Sequence, residues 1–124
     1  MDVNVIKEVL QLYFDGSFEG SGEKMEAAFH SAAHIYGLGM DGKLADMPRD
    51  AFVQLVGSGP KESGDPGYPR QDETLSIDFT GENTAVARVK LRVHNTMFTD
   101  ILSFLNHDGK WAIISKLYSG VPVE

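Results

Sequence analysis

The sequence predicts an α+β fold in which helices of the first half pack against an antiparallel sheet formed mainly by the second half. Apolar residues recur at helical spacing in three segments before residue 57, whereas residues 73 to 118 form four runs with strand character. Asp108-Gly109 lies between the last two runs. This pair favours a two-residue type I′ hairpin turn, which needs positive φ at both positions. Helices segregated from antiparallel strands are typical of the α+β class.

Three helices are predicted. The first covers residues 3 to about 15, ends at Gly16, and has an apolar stripe formed by Ile6, Val9, Leu10 and Tyr13. The second covers residues 22 to 29, with Ser21 as its N-cap and an inner face of Met25, Ala28 and Phe29. The third begins at Pro48, whose missing N–H costs nothing at a helix start, and its stripe is Ala51, Phe52, Leu55 and Val56.

The predicted strands follow this order. Residues 33 to 39 form a strand with His34, Tyr36 and Leu38 on one face, and a turn at residues 40 to 43 leads to a short strand near Leu44. Residues 57 to 71 are rich in Gly, Pro and Ser, which predicts a long loop, either mobile or a lid. Four antiparallel strands then cover residues 73–79, 84–94, 98–106 and 110–118. A sheet that bends around the helices would leave a cone-shaped cavity.

The last hairpin raises two expectations. A two-residue turn pairs His107 with Lys110 and, counted back, Asp100 with Leu117. One face then carries Phe98, Asp100, Leu102, Phe104, Trp111, Ile113, Ser115 and Leu117, and the other carries Thr99, Ile101, Ser103, Leu105, Ala112, Ile114, Lys116 and Tyr118. Both faces are largely apolar, so we expect a homodimer through the sheet face. Asp100 on an apolar face needs a partner, a water-filled pocket or a raised pKa.

Composition narrows the function classes. We expect one domain over residues 1–124, with an ordinary globular hydrophobic content of 42%. The net charge of -7 argues against nucleic-acid binding, and the absence of cysteine excludes disulfides and thiolate chemistry. Neither a bilayer-spanning run nor a signal-peptide pattern is present, so we expect a cytoplasmic protein without a membrane partner. No Gly-rich phosphate loop is present, and no cofactor is predicted.

Four segments carry a resemblance to a known family. They are YFDGS at 13–17, AFHSAA at 28–33, FTDILSF at 98–104 and DGKWAIISKLY at 108–118. Nearly the whole chain resembles the nuclear transport factor 2-like superfamily, which includes ketosteroid isomerases and SnoaL-like cyclases. More narrowly, it is similar to a small bacterial group that carries a lumazine-binding label. The resemblance implies a cone-shaped fold with a strongly curved sheet wrapped around the helices, a homodimer, and a pocket between sheet and helices.

The resemblance also suggests site residues. Asp100 lies near the position of a protonated Asp in the oxyanion hole of ketosteroid isomerases, and Tyr13 lies near their helix-one Tyr. The isomerase base is missing, because the matching strand position is nearest to Gly37. His34 is the alternative base. We therefore predict Asp100, His34 and Tyr13 as catalytic candidates, and Tyr13, His34, Tyr36, Asp100 and Trp111 as the lining of the pocket.

Structural roles compete with these assignments. Asp100 could fix the strand through a hydrogen bond, Tyr13 could be a core aromatic residue, and Trp111 favours the core. The separation of His30 from His34 aligns metal ligands only on a helix, so no metal site is predicted. His94 and His107 lie beside turns and are expected to be exposed. Arg88, Lys90 and Arg92 form a basic stripe, for which a solvated sheet face is the main interpretation.

Three functions stay open at this point. The first is a protein that binds a small, mostly apolar molecule in the pocket. The second is an enzyme of the SnoaL or ketosteroid isomerase kind, with His34 as base and Asp100 and Tyr13 as electrophilic partners. The third is a structural dimerisation module whose pocket is filled by its own side chains. The sequence does not identify the ligand.

Overall fold

Six strands form one mixed sheet, and three helices pack on one of its faces, in the computed structural model, which describes residues 2–58 and 66–123. The elements are α1 Val3–Glu19, α2 Gly22–Ala28, β1 Phe29–Leu38, β2 Leu44–Pro48, α3 Arg49–Gly57, β3 Asp72–Phe79, β4 Thr84–Val93, β5 Thr96–His107 and β6 Lys110–Pro122. The predicted α+β class is confirmed. Part of the predicted loop, residues 59–65, lies outside the described residues. None of the three described helices has the length and apolarity needed to cross a membrane.

The strand order is β2-β1-β6-β5-β4-β3. The four C-terminal strands pair antiparallel, as predicted, and β1 pairs antiparallel with β2. However, β1 and β6 run parallel, with Ile35 opposite Lys116. The sheet is therefore mixed rather than antiparallel throughout. This pairing joins distant parts of the chain, so no local turn signal in the sequence could indicate it.

The first helix is longer than predicted. It continues through Gly16 and ends at Gly20, whose φ of 67° is the left-handed conformation that glycine adopts without strain. Gly16 lies inside the helix, at the point where α2 packs closely against α1. A Cβ atom at position 16 would lie 3.2 Å from Met25 Sδ. The glycine thus serves helix packing rather than helix termination.

The predictions for α2 and α3 hold in part. Ser21 caps α2 by accepting a hydrogen bond from the Lys24 amide at 3.2 Å, as expected. Phe29 is buried, but it begins β1 instead of ending the helix. In α3, Phe52 is buried, whereas the side chains of Ala51 and Leu55 are exposed. Val56 packs against the core and Leu55 lines the cavity described below, so the predicted stripe fails only at Ala51.

A β-bulge in β6 changes the predicted register. The turn at Asp108-Gly109 has φ values of 55° and 81°, which confirms the hairpin, and Phe104 pairs with Ile113. Ser103 then pairs with Ser115, so Ile114 is an extra residue. Beyond it, Leu102 faces Lys116 and Asp100 faces Tyr118. The predicted pairs with Ser115 and Leu117 are wrong, and Lys116 and Tyr118 share the inner face with Asp100.

The inner face of the sheet forms the core together with α1. Alternate residues of β4 are buried there, as the sequence predicts: Ala85, Ala87, Val89 and Leu91. The α1 stripe packs over them through Ile6, Val9, Leu10, Tyr13 and Phe14. Burial of these apolar side chains is the main favourable contribution to folding.

Candidate functional site

A cavity of about 610 Å³ lies between the helices and the inner face of the sheet. This volume falls in the usual range for small-molecule sites. Its lining is mostly apolar and includes Phe18, Met25, Ile35, Met47, Phe52, Val56, Leu91, Val93, Phe98 and Tyr118. Tyr13, Ser17 and Lys116 supply polar atoms to the same wall. Pro66, Tyr68 and His94 complete it at the edge nearest the long loop.

Tyr13 and Asp100 form a buried pair behind this wall. The Tyr13 hydroxyl donates a hydrogen bond to Asp100 Oδ2. Tyr13 is 1% exposed and Asp100 is fully buried. Asp100 Oδ1 has no hydrogen-bond partner in the described part of the chain. A buried carboxylate oxygen without a partner is costly, so this environment favours the neutral acid.

Lys116 lies beside Tyr13 and Asp100 and forms a three-residue group with them. Its Nζ lies 3.9 Å from Asp100 Oδ2, and its side chain is only 12% exposed. Three aromatic rings surround this amine: the distances from Nζ to the ring centroids are 4.7 Å for Phe52, 5.1 Å for Tyr13 and 5.7 Å for Tyr118. An amine and a phenol therefore line the polar end of the cavity, and a carboxyl group lies directly behind them.

Burial shifts the protonation of all three groups towards their neutral forms. Desolvation raises the pKa of Asp100, and the nearby Lys116 and the Tyr13 hydrogen bond oppose this only in part. Desolvation lowers the pKa of Lys116, which the charge of Asp100 opposes. Desolvation and Asp100 raise the pKa of Tyr13 well above 10.0, while a hydrogen bond with Ser17 acts in the opposite direction. Such groups in a cavity are typical of functional sites.

The sequence analysis missed Lys116, because a straight register assigns it to the outer face. The available signal was the run Trp111-Ala112-Ile113-Ile114, in which apolar residues stop alternating. Ala112 and Ile113 are both buried although they are consecutive. Two consecutive buried residues in a strand are typical of a bulge, and a bulge inverts every face assignment that follows it.

His34 and Tyr36 lie outside the cavity. Both side chains project from the outer face of β1, whereas Ile35 projects inward. The predicted shared face of His34 and Tyr36 is confirmed, and their rings stack with a centroid separation of 6.0 Å. His34 Nδ1 lies 2.7 Å from Asp46 Oδ1 on β2. The structure therefore does not bring His34 together with Tyr13 and Asp100.

Trp111 lies away from the cavity wall. Its ring packs edge-to-face on Phe79, with 5.8 Å between centroids, and it contacts the core. This agrees with the structural role expected of Trp111. Of the five predicted lining residues, Tyr13 lines the cavity directly, and Asp100 lies immediately behind Tyr13 and Lys116.

Gly37 explains why the isomerase base has no counterpart here. A Cβ atom at this position would lie 2.3 Å from Tyr118 Cζ, so the aromatic ring occupies the space that any side chain would need. Tyr118 reaches this position because the bulge turns it inward. A carboxylate on β1 at residue 37 is incompatible with this ring position.

The other histidines form surface contacts. His30 Nε2 lies 2.8 Å from His107 Nδ1, so His30 and His34 turn to different partners. His94 and His107 are exposed, as expected. Within residues 2–58 and 66–123, no three His, Asp or Glu side chains are grouped to hold a metal ion.

The chain is similar to several known proteins. An NTF2-like protein of unknown function from Shewanella baltica OS155 is 29% identical, with 97% of this chain and 94% of that chain covered and a TM-score of 0.85. A second, from Methylobacillus flagellatus KT, is 35% identical, with coverage of 97% and 92% and a TM-score of 0.81. A ketosteroid isomerase-like protein from Erwinia carotovora atroseptica SCRI1043 is 14% identical, covers 95% of both chains, has a TM-score of 0.73, and supports the fold alone.

A curated relative carries the name of an enzyme. It is "Aldolase FrzH" of Cladobotryum sp, which is 25% identical over 112 residues, or 89% of this chain and 84% of that protein. The family model described as "Putative lumazine-binding" matches residues 1–119, almost the entire chain. Both the predicted superfamily and the predicted narrower group are therefore confirmed. The chain belongs to this lumazine-binding family of the nuclear transport factor 2-like superfamily.

Proposed function

We propose that the protein binds a small, mostly apolar molecule in the cavity between sheet and helices. One observation carries this proposal: a cavity of about 610 Å³ combines a mostly apolar wall with the polar group formed by Tyr13, Asp100 and Lys116. Apolar sites with a few convergent polar groups are typical of ligand pockets. We expect the ligand to direct one polar atom towards Lys116 and its apolar body towards Phe52 and Phe98.

The test is binding of an apolar fluorescent dye, followed by native mass spectrometry of freshly purified protein. Ala45 and Ala51 provide matched variants, since Ala45 lines the cavity and Ala51 is exposed on α3. Ala45→Trp should fill part of the cavity and weaken dye binding at least about tenfold, a loss of about 1.4 kcal/mol. Ala51→Trp should bind like the wild type. Equal weakening in both variants, or no dye binding at all, would refute the proposal.

Lumazine, which the family description names, is a suitable second probe. It is a bicyclic molecule with several carbonyl and ring-nitrogen acceptors, and Lys116 offers a donor at the polar end of the cavity. If lumazine is a ligand, it should displace the dye, and Lys116→Met should reduce its affinity more than the affinity of the dye. An unaltered dye signal at millimolar lumazine would exclude it while leaving the cavity proposal intact.

An enzymatic role is the second candidate, because the polar group in the cavity combines an acid with an amine. The curated relative named an aldolase is similar to this chain. An aldolase acts at a carbon next to a carbonyl group. His34 lies on the other side of the sheet, so Lys116 replaces it as the candidate base in this proposal. A pH–rate profile that changes in Lys116→Met but not in His34→Ala would support this role.

We also propose a homodimer through the outer face of the sheet. Tyr36, Leu117 and Ile101 are direct neighbours across β1, β6 and β5, and they are 36%, 52% and 42% exposed. Contiguous exposed apolar residues of this kind mark interaction surfaces. The exposed Arg88 on β4 pairs with Ile101 at the edge of this patch. A dimer through this face would bury the apolar side chains that are exposed to water in the monomer.

Sedimentation at micromolar concentration tests the dimer. Leu117→Lys should convert it to a monomer, because two like charges would meet in an apolar interface. Met40→Lys is the matched control, since Met40 is fully exposed in the turn between β1 and β2. A wild-type monomer at this concentration would contradict the proposal. Cytoplasmic location stays a prediction from the sequence.

A further inference from the structure

We propose that Lys116 forms a Schiff base with the carbonyl group of an aldehyde or ketone that binds in the cavity. This inference rests on the proposed binding function and deepens it, because it names the reactive class of the ligand. It requires an accessible neutral amine, a nearby acid and an apolar site for the rest of the molecule.

The Lys116 amine lines the cavity and makes no hydrogen bond within the described residues. The distance from its Nζ to Asp100 Oδ2 is 3.9 Å. Buried donors are normally hydrogen-bonded. Lys24 illustrates the ordinary arrangement, since its Nζ lies 2.9 Å from both carboxylate oxygens of Glu19 on the surface. The Lys116 amine, which makes no hydrogen bond to Asp100, lines the cavity and is therefore accessible to a bound molecule.

The surroundings also favour the reactive form of the amine. An ammonium ion has no lone pair, so a Schiff-base lysine must be neutral when it attacks. Desolvation lowers the pKa of Lys116, although the charge of Asp100 and the faces of three aromatic rings oppose this. An iminium ion carries the positive charge that those rings attract. The same three rings would therefore stabilise the iminium ion that the reaction forms.

Asp100 can supply the proton that the reaction consumes. The Lys116 nitrogen attacks the carbonyl carbon, a C–N bond forms, and one amine proton moves to the carbonyl oxygen to give a carbinolamine. The neutral Asp100 acid, which lies behind Lys116, then gives its proton to the Lys116 nitrogen, and this nitrogen passes a proton to the hydroxyl. The C–O bond breaks, water leaves, and the nitrogen lone pair forms the C=N bond of the iminium ion. Atoms and charge balance, because the iminium ion and the Asp100 carboxylate form together.

Tyr13 holds Asp100 in place for this transfer. Its hydroxyl donates to Asp100 Oδ2, the oxygen that lies 3.9 Å from the Lys116 amine. The phenol would continue to donate to this oxygen when Asp100 becomes a carboxylate. Hydrogen bonding to the charged form stabilises it. We therefore assign Tyr13 as a positioning residue and Lys116 as the group that touches the substrate.

Reductive trapping tests the inference on the wild-type protein. The probes are 2-naphthaldehyde, which has an apolar body, and 2-naphthalenemethanol, the matched alcohol without a carbonyl group. Each is first titrated against the bound dye, and the aldehyde is then trapped with cyanoborohydride at pH 7. Intact-mass measurement and peptide mapping identify the modified lysine. Lys24 serves as the internal control, because it is a surface lysine whose ion pair raises its pKa.

Trapping at Lys116 at least about tenfold faster than at Lys24 is the expected result, because the cavity holds the aldehyde beside Lys116 whereas Lys24 meets it only from solution. Lys116→Met should lose this adduct, whereas Lys24→Met should retain it. Asp100→Asn should slow trapping without abolishing displacement of the dye by the alcohol. If the naphthyl probes displace the dye and Lys116 is labelled no faster than Lys24, the Schiff-base inference is wrong and the binding function stands. If no dye binds, both fail.

Discussion

The buried pair of Lys116 and Asp100 should lower the stability of the fold, and its replacement by neutral residues tests this. With Nζ and Oδ2 3.9 Å apart, an effective dielectric constant near 20 gives an attraction of about 4 kcal/mol between full charges. Removing two ions from water costs several kcal/mol for each ion, and no hydrogen bond joins this pair. The pair therefore lowers the free energy of unfolding, because burial either costs the desolvation of both ions or drives the groups to neutral forms that lack full hydrogen bonding.

The double variant Lys116→Met with Asp100→Asn nearly keeps the volume of both side chains, and the amide oxygen introduced at position 100 can still accept the hydrogen bond from the Tyr13 hydroxyl. We expect this variant to be more stable than the wild type by about 1 kcal/mol, the lower end of the range for apolar replacements, because the amide nitrogen introduced at position 100 is buried where Oδ1 has no partner. For a chain of 124 residues, about 4 °C in melting temperature corresponds to 1 kcal/mol. Urea unfolding at pH 7, followed by circular dichroism, measures the difference, and the two single variants complete a double-mutant cycle.

The exposed pair of Lys24 and Glu19 is the matched control. Its side chains are 36% and 45% exposed, so Lys24→Met with Glu19→Gln should change stability by less than about 1 kcal/mol. A loss of more than about 1 kcal/mol in the Lys116 and Asp100 double variant would refute the reasoning. The pair would then stabilise the fold, and a structural role would explain its burial.

Three further predictions concern protonation, packing and capping. Burial raises the pKa of Asp100, so the folded chain keeps this proton to a higher pH than the unfolded chain does. The free energy of unfolding should therefore fall as the pH rises above 3.8. The decrease is up to about 1.4 kcal/mol per pH unit until the pH passes the pKa of the folded state. Urea titrations from pH 4 to 8 should find a flatter curve for Asp100→Asn, and parallel curves would contradict this. Gly37→Ala should lower the free energy of unfolding by about 1–3 kcal/mol, because the added Cβ atom would lie 2.3 Å from the Tyr118 ring. Gly57→Ala is the control, since its Cβ atom would have ordinary contacts, and it should lower the free energy of unfolding less in the same assay. Ser21→Ala should lower the free energy of unfolding by about 1 kcal/mol, because it removes the hydrogen bond that caps α2 at the Lys24 amide. Thermal unfolding measures this loss, and Ser31→Ala, at an exposed position, is the control that should show no such change.

The order of helices and strands could be predicted without coordinates, because the relevant signals are local. Helical spacing identified α1, Ser21 identified the start of α2, and Asp108-Gly109 identified the last hairpin with its positive φ values. Alternation along β4 correctly assigned Ala85 and Val89 to the core. Each of these features depends on interactions between residues within a few positions of one another, so the sequence alone is enough to predict it.

The composition of the site depends instead on long-range packing. One extra residue, Ile114, turns Lys116 and Tyr118 to the inner face, and its effect depends on how β6 pairs with β5 and β1. The same inversion places the Tyr118 ring beside Gly37, which removes the space for a side chain on β1. Asp100 was identified from sequence as a carboxyl group that needs a partner. The family resemblance had already grouped Tyr13 with Asp100, and their hydrogen bond joins residues 87 positions apart. Lys116 comes from the bulged strand, so only the folded chain could identify it as the third member.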